Sequence, residues 1–572
     1  MLDRPTEAES AAVDAVLGRS EPFDGRVVFG GHAARAQRHL LLPALHAVQD
    51  ATGSVSRGAL GYISDRLTVP PAEAYGVATF YALFKTDQQG GSTTHVCDDI
   101  VCAQYGAEDL CAALDATATE YERSPCLGQC DRAPAAMLHE PGVGYANAAP
   151  VDAKSVKRIM FDELSPGLIH QDTADLTLLR RIGKVDPTSF DAYVESGGFQ
   201  NLAKAREIGP EVVIAELKVS GLKGRGGAAF PIGIKWEGVR NAPGNEKYVI
   251  ANGDESEPGT FKDRLVMEGD PFAVVEAMTI YGYVTGASQG YIYVRGEYPT
   301  AERRLRNAID QTGQAGLLRE FQLEVRRGAG AYICGEETAL FASIEGHRGE
   351  PRQKPPFPTT HGVFGKPTGI NNIETLLATL EVIANGGEAF AAIGTEQSTG
   401  TKLFCVSGAV EKAGVFEMVF GATLGDLLVL AGGIKGGKEL GAVLMGGAAG
   451  VFADDSALEV PLTFEHTRDA GTTMGSGAII FFDDSTDFGP VLRRVAQFFR
   501  DESCGQCVPC RIGTVRQEET LTRLASGKTV GSASDELQRL NDLALVMTDA
   551  SICGLGQTAA SAIQSAMKLG LA

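Results

Sequence analysis

Positive charge is scarce in this chain. Lys and Arg number 51 against 72 Asp and Glu, a formal net charge of −21 over 572 residues. A chain of that sign is a poor partner for nucleic acid or an anionic membrane, though a local basic site for a nucleotide is compatible with it. Long apolar runs are missing too: none approaches the roughly 18–20 residues a membrane span needs. The start, Met1 to Glu7, has neither a basic region nor an apolar run behind it. No export signal is therefore expected, and a cytoplasmic, reducing location follows. There is no tandem repeat of fixed period and no low-complexity tract. What remains is an ordinary globular composition in a chain too long for one core, which predicts about three to five domains.

Cysteine and glycine are what the sequence does have. Eleven cysteines fall in uneven clusters. In a reducing compartment such clusters read as metal or redox ligands, not disulfides. Cys504, Cys507 and Cys510 form a C-x2-C-x2-C step, and Cys553 lies far downstream in Ile552-Cys553-Gly554-Leu555-Gly556-Gln557. Two tight steps put three sulfurs on one loop, and a remote fourth closes a cage for an iron–sulfur centre or zinc. An upstream set pairs Cys97-x4-Cys102 with Cys126-x3-Cys130. Four thiolates suit a [2Fe–2S] centre, with structural zinc the alternative. Gly128 lets backbone amides approach sulfur, and such N–H···S bonds tune a reduction potential. Cys111, Cys334 and Cys405 are expected to be packing residues.

The periodicity predicts six segments. Residues 1–85 are helical, with an amphipathic helix from Arg35 to Gln49 and helix starts at Ser64-Asp65 and Pro70-Pro71. Residues 86–160 form a small α/β unit. A strand delivers Cys97, a helix spans 106–119, and a hairpin turns at Pro141-Gly142. Residues 161–204 connect. Residues 205–400 alternate strand and helix, as a parallel sheet with covering helices does. Residues 401–480 form a compact β domain, and 486–572 return to helix around the second cysteine set.

Three glycine-rich or acidic turns stand in the α/β stretch. Gly224-Arg225-Gly226-Gly227 opens toward a helix carrying Lys235, a geometry that can hold a phosphate or simply make a tight turn. Asn252-Gly253-Asp254-Glu255-Ser256-Glu257 follows a strand, where α/β proteins bind ligands. It is either a solvated loop or a set of acceptors for sugar hydroxyls; no nearby histidine supports a metal. Tyr332-Ile333-Cys334-Gly335-Glu336-Glu337 leads into a helix, and Lys354-Pro355-Pro356-Phe357-Pro358 presents an aromatic on a rigid loop.

Together these motifs resemble the NADH-oxidising flavoprotein module of respiratory complex I and its soluble relatives, over nearly the whole chain. Residues 1–160 are similar to the small thioredoxin-like [2Fe–2S] subunit. The rest resembles the larger subunit, with a Rossmann-like FMN/NAD domain, a β-grasp-type domain and a helical [4Fe–4S] bundle. The fusion of the two, and Ile552 to Ala559, resemble the diaphorase subunit of soluble NAD-dependent formate dehydrogenases and NAD-reducing hydrogenases.

The resemblance implies roles. Gly224, Arg225, Gly226, Lys235, Asn252, Asp254, Ser256, Gly335, Glu336, Asn371 and Asn372 would surround FMN. Phe230, Glu255, Glu257, Tyr332, Glu337 and Phe357 would line the nicotinamide site, the two Phe by stacking and Glu255 and Glu257 as orienting groups, not acids or bases. Their charge would disfavour a 2′-phosphate. Cys97, Cys102, Cys126 and Cys130 would hold [2Fe–2S], and Cys504, Cys507, Cys510 and Cys553 [4Fe–4S]. Two departures stand out. The stretch from Cys102 to Cys126 is short, and Gly238 replaces an aromatic that stacks adenine. The expected activity is NAD+ reduction with electrons from a separate catalytic subunit carrying a molybdenum or tungsten pterin and further iron–sulfur clusters. A hydrogenase or complex I partner, or a zinc-stabilised scaffold without redox activity, are the alternatives.

Overall fold

A computed structural model describes residues 3–18, 37–86, 91–161 and 167–571. The first helix, Glu7–Leu17, starts at a capping box in which Thr6 and Glu9 satisfy each other's backbone N–H groups. The amphipathic helix expected from Arg35 runs over Leu41–Thr52, behind a 3-10 turn at Arg38–Leu40; Arg35 and Ala36 lie outside the described residues. Ser64-Asp65 is not a helix start. It sits inside Arg57–Leu67, whose cap is Ser56, and the apolar face of Ala59, Leu60, Ile63 and Leu67 runs straight through it. The helix Pro71–Ala78 does begin at the proline pair.

The small α/β unit is a four-stranded sheet in the order Glu122–Ser124, Thr93–Cys97, Ala136–Glu140, Gly144–Ala148. Its first two strands are parallel, so their ends bring Cys97 and the loop of Cys126 to one edge. The connecting stretch is more than a tether. Helices Phe190–Glu195 and Gln200–Ile208 lie in it, and Glu276 of the next domain accepts the Tyr193 hydroxyl at 2.6 Å and the N–H groups of Phe199 and Leu202 at 2.9 Å. Residues 162–166 of that stretch lie outside the described residues.

Next comes an all-parallel sheet, ordered Gln322–Arg327, Gln289–Val294, Tyr248–Gly253, Thr368–Asn372. Helix Pro271–Thr285 covers it and is buried along almost its whole length. Because the strands are parallel, Asn252-Gly253 and Asn371-Asn372 emerge at the same edge. A five-stranded mixed sheet follows, from Thr401–Gly408 to Ala478–Asp483, with its own core around Phe416, Val443 and Phe481. Its last strand runs past residue 480. Helices Phe488–Asp501, Val508–Ser526, Ala533–Ala550 and Ser561–Lys568 close the chain. One apolar core joins the N-terminal helices, the parallel sheet and this bundle.

Candidate functional site: a glycine-lined cavity between two cysteine sets

At the strand-end edge lies a cavity of two lobes, about 470 and 480 Å³. They share Gly226, Asn252, Gly335, Glu336, Asn372 and Gly554 as walls, and together they suit a ligand of cofactor size. The main walls come from five regions: the Gly224–Lys235 turn, the Asn252–Glu257 loop, the Tyr332–Glu337 turn, the strand end at Asn371-Asn372 and the Cys553-Gly554 loop. The β domain adds Gly446, Ala449, Thr473, Gly475 and Ser476, residues that nothing in their local sequence singles out.

The residues present fit a flavin nucleotide. Gly226 and Gly335 make a cradle: a Cβ would stand 3.1 Å from Asn372 Cβ at the first and 3.3 Å from the Asp254 carbonyl oxygen at the second. Asp254 Oδ1 accepts the Ser256 hydroxyl, while its buried Oδ2 has no protein partner. Burial holds this carboxyl well above the usual range. Such an orphan suits a ligand hydroxyl or N–H. Asn252 donates to the Gly335 carbonyl at 2.9 Å, and the Gly224 N–H to the Phe230 carbonyl at 2.9 Å. Lys235 reaches the Ile370 carbonyl at 2.9 Å on the second lobe's wall, with its ammonium 5.8 Å from the Phe230 ring centre. Phe230 is 48% exposed there. Asn371 lines the same lobe beside buried Trp236.

Two expectations are corrected, and a third residue stands outside the lobes. The Arg225 guanidinium does not face the cavity. It is buried, donates to the Thr399 carbonyl at 2.7 Å and stacks over Phe420 at 4.6 Å, so it ties the glycine turn to the β domain. The Glu255 carboxylate is engaged at the start of helix Lys262–Gly269, accepting the N–H groups of Asp263 and Arg264 at 2.9 Å and the Tyr298 hydroxyl at 3.2 Å. Phe357 is 59% exposed and absent from the described lobe walls. Its loop touches the site through Lys354 instead, which binds Glu336 at 3.1 Å and Glu337 at 2.7 Å.

Glu257 accepts the Ala449 N–H at 2.8 Å and the Tyr332 hydroxyl, and burial pushes its carboxyl up to about 7. On the other side of Tyr332, Glu502 accepts its backbone N–H at 2.8 Å, and burial raises Glu502 to about 7 as well. Glu336 caps the helix Glu337–Ile344.

Cys97, Cys102, Cys126 and Cys130 are buried neighbours, with Cys126 and Cys130 Sγ 3.3 Å apart. The Gly128 N–H points at Cys126 Sγ from 3.4 Å, and the Gly259 N–H faces Cys130. Arg295 bridges this set to the cavity loop, donating to the carbonyls of Cys126 at 2.6 Å and Glu255 at 2.7 Å. Cys504, Cys507, Cys510 and Cys553 gather likewise, with the Leu555 and Gly556 N–H groups facing Cys553. Among the described residues no three His, Cys, Asp or Glu side chains converge on a single-ion site. Four thiols with amides aimed at sulfur are the donor set of an iron–sulfur cluster. Cys111, Cys334 and Cys405 are buried, Cys405 accepting the Phe261 N–H at 3.1 Å. A larger hollow, about 910 Å³, lies beside the first set; of its cations, Arg123, Lys438 and Arg494 are tied to carboxylates and Lys435 stands over the Tyr105 ring.

Three family models match: a thioredoxin-like [2Fe–2S] ferredoxin over residues 31–160, the Nuo51 FMN-binding domain over 217–381, and the NADH-ubiquinone oxidoreductase-F iron–sulfur binding region over 490–569. The NADP-reducing hydrogenase subunit HndC of Solidesulfovibrio fructosivorans is 43% identical over 68% of this chain and 80% of its own length. An F-type NADH-quinone oxidoreductase polypeptide of Rhizobium meliloti is 40% identical over 68% and 94%. In the crystal structure of an air-oxidised NAD+-reducing [NiFe]-hydrogenase, one chain superposes with a TM-score of 0.81 at 30% identity, covering 94% of this chain and 93% of that one.

Proposed function

Since this chain belongs to the family of F-type NADH-quinone oxidoreductase polypeptides and their hydrogenase relatives, fused to a thioredoxin-like [2Fe–2S] ferredoxin, we propose that it reduces NAD+ with electrons from a separate subunit that oxidises formate at a molybdenum or tungsten pterin. It is a diaphorase subunit using FMN, NAD, one [2Fe–2S] and one [4Fe–4S] centre, which removes the zinc-scaffold alternative. Among the described residues no helix is long and apolar enough to cross a membrane, in keeping with work in the cytoplasm.

The observation that carries the reading is a shared wall. The cavity that fits a flavin is bounded on one side by glycine turns and on the other by Cys553 and Gly554, so a bound ligand touches the cysteine loop itself. FMN, when bound, exchanges a hydride with nicotinamide and electrons one at a time with clusters. The protein's part is to bind, orient and exclude water. Asp254 Oδ2 would accept from a flavin hydroxyl or N–H, Gly224, Gly226 and Gly335 would let the backbone approach, and Asn252, Ser256, Glu336, Asn371 and Asn372 would complete the shell. Lys235 would face the phosphate. Glu257, Tyr332, Phe230 and Glu337 would line the nicotinamide nucleotide, and Glu257 alone would then oppose a 2′-phosphate, since Glu255 is engaged elsewhere. No side chain is needed as acid or base.

The formate reading draws on the fused architecture and on Ile552 to Ala559. The HndC relative, an NADP-reducing hydrogenase subunit, and the NAD+-reducing hydrogenase structure both support a second reading, in which the partner is a hydrogenase and the acceptor NAD+. Metal analysis of the native complex separates them. Molybdenum or tungsten with formate-dependent NAD+ reduction is expected; nickel with hydrogen-dependent reduction would refute the formate assignment.

A further inference from the structure

Beneath the cavity floor lies a buried charge cluster that none of the binding roles uses. Lys262, Lys402 and Glu374 are fully buried. Lys262 is matched locally, 2.7 Å from Asp263 Oδ1 and 3.0 Å from Glu374 Oε2. Lys402 comes from another domain, on the strand Thr401–Gly408, and stands 3.7 Å from the same Glu374 oxygen. Its other contacts are two backbone carbonyls, Ser476 at 3.0 Å and Arg225 at 3.3 Å, and the Phe404 ring centre at 5.8 Å. Burial pulls Lys402 down to about 8, which leaves it mostly protonated at neutral pH. Burial also works against the Glu374 anion, but Lys402, Lys262 and Arg225 outweigh it and keep Glu374 ionised.

The direction of one carbonyl is what matters. In a trans peptide the C=O of one residue and the N–H of the next point opposite ways, and the bond from Arg225 to Gly226 is trans. Lys402 draws the Arg225 carbonyl down to itself, so the Gly226 N–H turns up toward the cavity that Gly226 lines. Among the described residues nothing accepts that N–H. The same ammonium grips the carbonyl of Ser476, whose segment packs against the glycine turn at Gly227, so one lysine ties the β domain to that turn. A buried cation under the floor also acts through a low dielectric, where its pull on an electron-rich ligand is strong.

We propose that Lys402 is a positioning residue of the flavin site: it aims the Gly226 N–H into the cavity and favours FMN in its reduced state. This rests on the cavity binding FMN. The test uses the full chain loaded with FMN, comparing wild type with Lys402→Met, Lys402→Arg and Glu374→Gln by flavin midpoint potential and FMN affinity. Lys402→Met should favour the reduced flavin tenfold less, a fall of about 30 mV for a two-electron couple. Lys402→Arg should restore most of it, and Glu374→Gln, which removes the buried anion, should move the potential upward when measured at pH 6, where Lys402 keeps its proton more firmly than at neutral pH. A role in folding alone would weaken FMN binding in both variants without opposite shifts. An unchanged potential in loaded Lys402→Met overturns the proposal, as do shifts of one sign in both variants. Should Lys402→Met fail to load, the absence of an upward shift in Glu374→Gln overturns it by itself. Failure of the wild type to take up FMN would instead strike at the functional reading.

Discussion

The two cysteine sets sit in opposite surroundings. Those of the thioredoxin-like unit are sealed: each is at most 3% exposed. Arg264, itself buried, donates to the Gly128 carbonyl at 2.9 Å and pairs with Asp131 at 2.8 Å, while Arg295 reaches Cys126. Those of the C-terminal bundle are open: Cys504, Cys507 and Cys553 are only half-buried. Around them stand exposed apolar side chains, Val508 and Ile512 one turn apart and Leu545 and Val546 on the facing helix, where Gly513 abuts Met547. A sealed charged centre has to be matched by cations and amides. An open one rimmed by apolar surface invites another chain. On this contrast the bundle is the expected face for electron exchange with a partner subunit, while the inner set is enclosed by the cavity loop and helix Lys262–Gly269.

The largest expected effect breaks that division directly. Cys507→Ser should abolish the [4Fe–4S] EPR signal and all NAD+ reduction driven by the partner, while NADH oxidation by an artificial acceptor continues. Cys126→Ser should erase only the [2Fe–2S] signal and spare partner-driven turnover. Equal loss of partner-driven turnover in both variants would place the inner centre on the main route.

Stability should divide the same way. Arg264→Leu strands the Asp131 carboxylate in the core and should cost about 3 kcal/mol, as breaking a buried pair does. The bundle pair Arg516–Glu519 is exposed on both sides, so Arg516→Ala should cost under about 0.5 kcal/mol. Denaturant midpoints of the two variants check this, and comparable losses would mean the inner site is not held by its charges. Between these two in size is Ile512→Asp on the apolar rim. It should weaken partner binding about tenfold, as loss of an interface anchor does, with FMN content and diaphorase rate unchanged. Undiminished binding in a pull-down titration would move the docking face elsewhere.

The legibility of the sequence follows the same line between local and distant. Cysteine spacing, glycine turns and the strands that deliver them are local features, and each could be read without the fold. Partners far apart in sequence could not. Arg225 reads as a phosphate cation in its own segment, but Thr399 and Phe420 turn it away from the cavity. Glu255 reads as a ligand group until the helix start at Asp263 and Arg264 takes both its oxygens. Lys402 and Ser476 carry no local signal, since only the packing of the β domain on the parallel sheet brings them under and beside the glycine turn. Ser64-Asp65 failed within its own segment: a polar pair imitates a cap when the apolar face continuing past it is not weighed.

The finest contrast is between the two carboxylates on either side of Tyr332. Glu257 belongs to the inner loop and Glu502 precedes the open cysteine step, yet burial pushes both up to about 7. A carboxyl with a raised folded pKa is neutral below that value. Its contribution to stability is therefore greatest below the ordinary carboxylate pKa and is lost as pH rises toward 7. For binding the sign is the reverse. If the Glu257 anion accepts ribose hydroxyls, nicotinamide affinity must climb as pH rises through 7, by at most about tenfold per unit below it, and level off above. The KM for NADH should therefore fall a few-fold between pH 6 and pH 8. Glu257→Gln should flatten that profile and Glu502→Gln should leave it, because Glu502 meets Tyr332 only at its backbone. A profile that survives Glu257→Gln but flattens in Glu502→Gln would mean that the open side, not the inner loop, governs the nucleotide.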